Sequence, residues 1–242
     1  MYSSASSMGR RERVRSLLAL RSGEAVLDIG CGPGFLADEM ALDVGLEGRV
    51  EAIDRSEDML QRARARCAGR TQAAFHEGEA TELPFPDSSF DAAAVVQVYE
   101  FVADAGRALA ELYRVLRPGG RAVVVDTDWA SLIWEAADGA RAERILRAWD
   151  EHLAHSHLPR SLPRLLRNAG FDLMTAEPYT TMSLEPEPFS GGMAKMIAAF
   201  VPGRGGVTAE EANAWMADLA ETAAKGAYFF SLTACLFLVS RR

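Results

Sequence analysis

Residues 26–35 read VLDIGCGPGF, an apolar run carrying Asp28 that ends in Gly30, Gly32 and Gly34. Glycine lets the backbone turn sharply and approach a ligand closely. The stretch is therefore either a tight structural turn or a floor on which a ligand lies. A second acid, Asp54, closes the apolar stretch RVEAID. Beside such a loop, a carboxylate can accept hydrogen bonds from both hydroxyls of a ribose. Its competing role as a helix cap is discounted, because Ser56 already occupies the cap position. The glycine spacing is G-x-G-x-G. Phe35 stands where the nicotinamide and flavin fingerprint, G-x-G-x-x-G/A, needs Gly or Ala.

Other residues with chemical potential lie further on. WDEHLAHSHLPR carries His152, His155 and His157 at a spacing that does not match a metal-binding helix, so no metal site is expected. His155, with His157 as its alternative, is the expected base if one is needed, and Asp128 is the second candidate. Cys31, Cys67 and Cys235 are scattered without disulfide or metal spacing, which predicts reduced thiols in a cytoplasm. Cys31 reads as a small side chain within the loop rather than a nucleophile, since no histidine lies near it in sequence.

These residues need elements to position them. EAVLDI, RVEAID, QAAFHEG, FDAAAVVQVY and RAVVVDT are five short strands alternating with helical patterns. The fourth is almost wholly apolar, as expected of a strand covered on both faces. Ser56, then Glu57 and Asp58, then Arg62, Arg64 and Arg66 give the next helix the charge order its dipole favours. Pro118, Gly119 and Gly120 stop the helix of 104–116. The Ser-rich first eight or nine residues predict a loose arm, followed by an amphipathic helix over 10–21. Stretches 171–184 and 226–242 read as two terminal strands that pair, separated by a helical insertion at about 186–225 in which Thr208 and Glu211 form a capping box. Alternation of this kind predicts a doubly wound, mostly parallel α/β sheet, with its ligand at the carboxyl ends of the strands.

The chain of 242 residues fits one domain: an N-terminal arm and helix over 1–22, a ligand-binding core over 23–130, and the remaining elements over 131–242. A net charge of −8 argues against nucleic acid and against an anionic membrane surface. No apolar run reaches the ~18 residues needed to span a bilayer. The basic N-terminal stretch MYSSASSMGRRERVR is followed by no apolar core of secretory length. A monomer and a homodimer are equally compatible with the sequence.

Four motifs occur in order: VLDIGCGPG, VEAIDRSEDML, GEATELPFPDSSFD and LAELYRVLRPGG. Together they resemble the class I S-adenosylmethionine (SAM)-dependent methyltransferases, of the type 11 group that includes ubiquinone and menaquinone biosynthesis methyltransferases. The resemblance is specific over about 15–127. It implies a seven-stranded Rossmann-like sheet with an antiparallel last strand. By this resemblance Asp28, Gly30, Gly32 and Gly34 receive the methionine part of SAM, Asp54 holds the ribose, Met59 packs near the adenine, and Cys31 and Arg55 also belong to the cofactor-binding set. Glu79 and Ala80 recognise the adenine ring, with Glu79 where the family most often has Asp. Gln97 and Tyr99 face the methionine end and the acceptor. Trp129 and Trp134 line the acceptor pocket, and the insertion, with Met193, Met196 and Phe200, is expected to be an apolar lid. The implied reaction is methyl transfer to a small organic acceptor at O, N, S or C, with S-adenosylhomocysteine (SAH) as product. The alternatives are a non-catalytic SAM-binding protein and an NAD(P)-dependent oxidoreductase.

Overall fold

A computed structural model describes residues 2–242. Strands β1 (Ala25–Ile29), β2 (Arg49–Asp54), β3 (Ala73–Glu77), β4 (Phe90–Val96), β5 (Leu116–Trp134), β6 (Phe171–Ser183) and β7 (Phe230–Arg241) form one sheet in the order β3-β2-β1-β4-β5-β7-β6. The first five are parallel. β7 slots between β5 and β6 and runs antiparallel to both. Strand β1 is buried at every position, which is why its sequence shows no polar alternation. The order reverses at β1 and β4, and a doubly wound sheet opens a crevice at that point.

Helices cover both faces. On one side α4 (Ala105–Val115) and α6 (Leu158–Asn168) pack Leu109, Leu112, Leu162 and Leu166 against Leu27, Ile29 and Phe90. On the other, α1 (Ala5–Leu18), α2 (Phe35–Val44) and α3 (Glu57–Arg66) bring Val14, Leu18, Met40 and Leu60 against Val26, Ala52 and Val123. A separate apolar cluster joins α5 (Gly139–Trp149), α7 (Pro188–Phe200) and α8 (Ala209–Ala224) to the far ends of β5 and β7 through Trp134, Ile145, Ile197, Trp215 and Phe230.

The predicted arm is instead the first turn of α1. Ser4 caps it, its hydroxyl accepting from the Ser7 amide at 3.2 Å. A Ser-rich start thus supplies a cap rather than a disordered tail. Arg11–Glu39 at 2.9 Å and Arg15–Asp43 at 2.5 Å bind α1 to α2. The expected insertion is α7 and α8, and the Thr208–Glu211 capping box opens α8 with both reciprocal bonds at 3.2 Å. The fifth strand runs well beyond the predicted 121–127, because β7 continues to pair with it, past a bulge, as far as Trp134.

Candidate functional site

The glycine loop leaves β1 at the switch point. Its turn is locked by the Gly30 and Cys31 amides, which both donate to the Ile53 carbonyl at 2.7 and 3.0 Å. Gly30, Gly32 and Gly34 all have positive φ, at 69°, 52° and 78°. Their surroundings differ. A Cβ on Gly30 would lie 2.2 Å from Val98, and one on Gly34 would lie 2.8 Å from the Ala63 backbone. One on Gly32 would meet nothing within 4 Å. Gly30 and Gly34 therefore serve close packing as well as turning, and Gly34, which caps α2, lies outside the cavity lining. Gly32 leaves the loop open towards the ligand side.

Asp54 braces this loop. Its carboxylate accepts from the Gly32 amide at 2.8 Å and from the Ser56 amide at 2.9 Å. Two carboxylate oxygens offer about four acceptor positions, so capacity remains for a ligand. Ser56 itself caps α3, accepting from Met59 at 3.4 Å.

The loop and Asp54 open into a cavity of about 550 Å³. Asp28, Cys31, Arg55, Met59, Glu79, Ala80 and Gln97 also line it. Burial, then the charge of Asp54, pushes the Asp28 carboxyl up to about 7. Burial first, then Asp28 and Asp54, pushes the Cys31 thiol upward, so it stays protonated and unreactive.

A polar network that sequence reasoning missed forms part of the wall. The Arg10 guanidinium, on α1, donates to Gln97 Oε1 at 2.6 Å, and Gln97 Nε2 donates to Thr127 at 2.9 Å. Gln97 holds a positive φ of 55°, a strained backbone state for a non-glycine residue. Glu100 is fully buried and accepts from the Thr127 amide at 2.9 Å. Burial pushes its carboxyl up to about 7, against the Thr127 amide, the neighbouring Trp129 indole and the charge of Arg10. The indole approaches Glu100 without forming a well-shaped hydrogen bond. Asp126 behind it is raised well above the usual range by burial and by Glu100. Arg10 on an amphipathic helix reads as a solvated charge, and only docking of α1 onto the sheet reveals its burial.

Beyond this network the cavity is apolar, walled by Phe101, Trp129, Trp149, His152, Phe189, Met193 and Met196. Trp129, Met193 and Met196 line the cavity, while Phe200 lies behind, edge-on to Trp149 and His152. Besides Gly34 and Phe200, the expected residues Tyr99, Trp134, Asp128 and His155 do not line the cavity. Tyr99 sits in a one-turn 3-10 helix, Tyr99–Phe101, which breaks the strand alternation and turns its ring into the core; its hydroxyl donates to Ala108 at 3.4 Å. Trp134 lies past the β5 bulge and packs on Trp215 and Phe230, with ring centroids at 5.4 and 4.8 Å. Asp128 is held by Arg160 at 3.0 Å and lies 3.4 Å from His157. His155 is turned to the Ala103 carbonyl at 3.1 Å. The histidine that does line the cavity is His152.

This fold and site define the class I methyltransferase architecture. Residues 27–124 match the family model described as Methyltransferase domain. Among curated relatives, an uncharacterised 37.1 kDa protein of transposon TN4556 from Streptomyces fradiae is 38% identical over 170 residues, which are 68% of this chain and 48% of that protein. A demethylmenaquinone methyltransferase from Listeria monocytogenes is 33% identical over 153 residues, 61% of this chain and 63% of that enzyme. The matched region thus spans between about half and under two thirds of these relatives. Two solved structures share the fold. The cyclase SpnF has a TM-score of 0.65 at 24% identity, covering 97% of this chain and 81% of that one. A geranyl diphosphate C-methyltransferase from Streptomyces coelicolor, solved with SAH, has a TM-score of 0.62 at 16% identity, covering 97% and 80%.

The residues present fit SAM. Gly32 provides a cradle that a side chain would fill, Asp54 retains acceptor capacity beside it, and Asp28 has a buried Oδ2 with no partner among the described residues.

Proposed function

We propose that this chain transfers the methyl group of SAM to a small apolar acceptor. The observation that carries the reading is the continuity of the site: one cavity runs from Gly32 and Asp54 to the aromatic chamber of Trp129 and Trp149. Asp54 would hold the ribose, Glu79 and Ala80 the adenine with Met59 and Arg55 beside them, and Asp28 the amino-acid end. When bound, SAM supplies a methyl group on a cationic sulfur whose leaving group is a neutral thioether, so no acid is required. The protein's own contribution is to hold the acceptor in place and keep water out. Orientation of this kind is worth on the order of 7–11 kcal/mol when the reacting groups are aligned. Met193 and Met196 on α7 would close over the acceptor as a lid.

The net charge of −8 suits a small-molecule acceptor better than a nucleic acid, and three unpaired cysteines suit a reducing, cytoplasmic setting. A second reading, a SAM-binding protein that does not methylate, draws on the occurrence of the fold in a cyclase. Calorimetric titration with SAM, SAH and NADH tests the first. Micromolar binding of SAM and SAH without NADH is expected; failure of both sulfur compounds to bind would overturn it. SAM binding with no turnover across a broad acceptor panel would select the second.

A further inference from the structure

His152 is the titratable side chain of the apolar chamber. It ends the one-turn helix Asp150–His152 and stacks on Trp149, with ring centroids 3.6 Å apart and planes 24° apart. The Trp129 ring meets it edge-on at 5.0 Å. Its Nδ1 is hydrogen-bonded to the Trp149 carbonyl. A carbonyl only accepts, so Nδ1 carries the hydrogen and Nε2 carries the lone pair. Among the described residues, Nε2 has no hydrogen-bond partner. Burial lowers the pKa of the ring, which keeps it neutral near pH 7. Stacking and the Nδ1 bond together fix both tautomer and orientation, the conditions a general base requires.

The chamber also indicates the charge of what it takes. Burial pushes the Glu100 and Asp126 carboxyls upward, and the positive charge of Arg10 acts on Glu100. Among the described residues, no carboxylate stands in the chamber walls beyond this network. The walls, Phe101, Trp129, Trp149 and Phe189, are planar or apolar. Building on the methyltransferase reading above, we propose that the acceptor is a neutral aromatic hydroxyl compound and that His152 Nε2 is the base that takes its proton. The acceptor O–H gives its proton to Nε2. The oxygen electron pair forms the new bond to the methyl carbon as the carbon–sulfur bond breaks and leaves its electrons on sulfur. The imidazolium then returns its proton to water.

Binding of 2-naphthol and of 2-methoxynaphthalene, read by quenching of tryptophan fluorescence with and without SAH, tests this. The pair differs in the O–H that Nε2 accepts. The wild type is expected to bind the naphthol roughly three- to tenfold more tightly, the range of one neutral hydrogen bond. In His152→Phe, which keeps a ring to stack on Trp149, and in His152→Ala, the two probes should bind within twofold of each other. Equal binding to the wild type, no binding of either probe, or a preference that survives both substitutions would overturn the proposal. SAH affinity, measured separately by calorimetry, reports on the methyltransferase reading, so the two can fail independently.

Discussion

Replacing Asp54 with alanine removes two things at once, and the structure allows them to be separated. The first is the brace: the Gly32 and Ser56 amides lose the carboxylate that accepts from both at 2.8 and 2.9 Å. Hydrogen bonds to charged groups are worth about 1.5–3 kcal/mol, but both amides lie near solvent, so water recovers part of this. A net loss of about 1–2 kcal/mol corresponds to a fall in Tm of roughly 2–8 °C for a chain of this size. The second is the proposed contact with the two ribose hydroxyls, whose loss at about 1.5–3 kcal/mol should weaken SAH binding roughly 10- to 150-fold. Asp54→Asn should fall between, because its single carbonyl oxygen can serve one amide while the NH₂ faces the other. Calorimetry with SAH and thermal melts on the three proteins give both quantities. A folded alanine variant with unchanged Tm and affinity within twofold would refute the reasoning. A lowered Tm with unchanged affinity would leave Asp54 as a brace alone.

Gly32→Ala should keep the fold, at about 1–2 kcal/mol for a left-handed alanine, while its methyl group obstructs SAH; Gly34→Ala should cost more stability, since its Cβ meets the Ala63 backbone at 2.8 Å. Melting and SAH titration of the pair check this contrast. Asp28, with its carboxyl pushed up to about 7, should ionise when an ammonium group binds beside it. SAH binding should then release protons near pH 7 and weaken as pH falls from 8 to 6, measurable by calorimetry in buffers of different ionisation heat. Trp215 is fully buried in the cluster that joins α5, α7 and α8, and Trp215→Ala should cost about 3–5 kcal/mol while SAH affinity holds, because Trp215 does not line the cavity and its cluster adjoins the apolar chamber rather than the glycine loop. Segment 186–225 should gain protection from protease only when SAH and 2-naphthol are both present; protection unchanged by ligands would count against a lid.

The sequence by itself determined the sheet and the glycine-loop half of the cavity, because both rest on short-range signals. Apolar strands ending in glycine, Ser56 before an acidic first turn and Thr208 paired with Glu211 are local chemistry, and local chemistry survives folding unchanged. Gly32, Asp54, Glu79 and Gln97 all lie on the first four strand ends or the loops beside them, where βα units fix positions with little freedom. The apolar half of the cavity was decided only in three dimensions. His152, His155 and His157 share one short stretch, yet a single helical turn sends His152 into the cavity and His155 to the Ala103 carbonyl. Tyr99 was lost to the core by another such turn, and Trp134 by a bulge that carries it past the chamber. Arg10 reaches Gln97 only because α1 docks across the sheet, 87 residues away along the chain. Which face of an irregular turn points inward depends on what packs against it, and for His152 that includes Phe200 of α7, some 48 residues further along the chain.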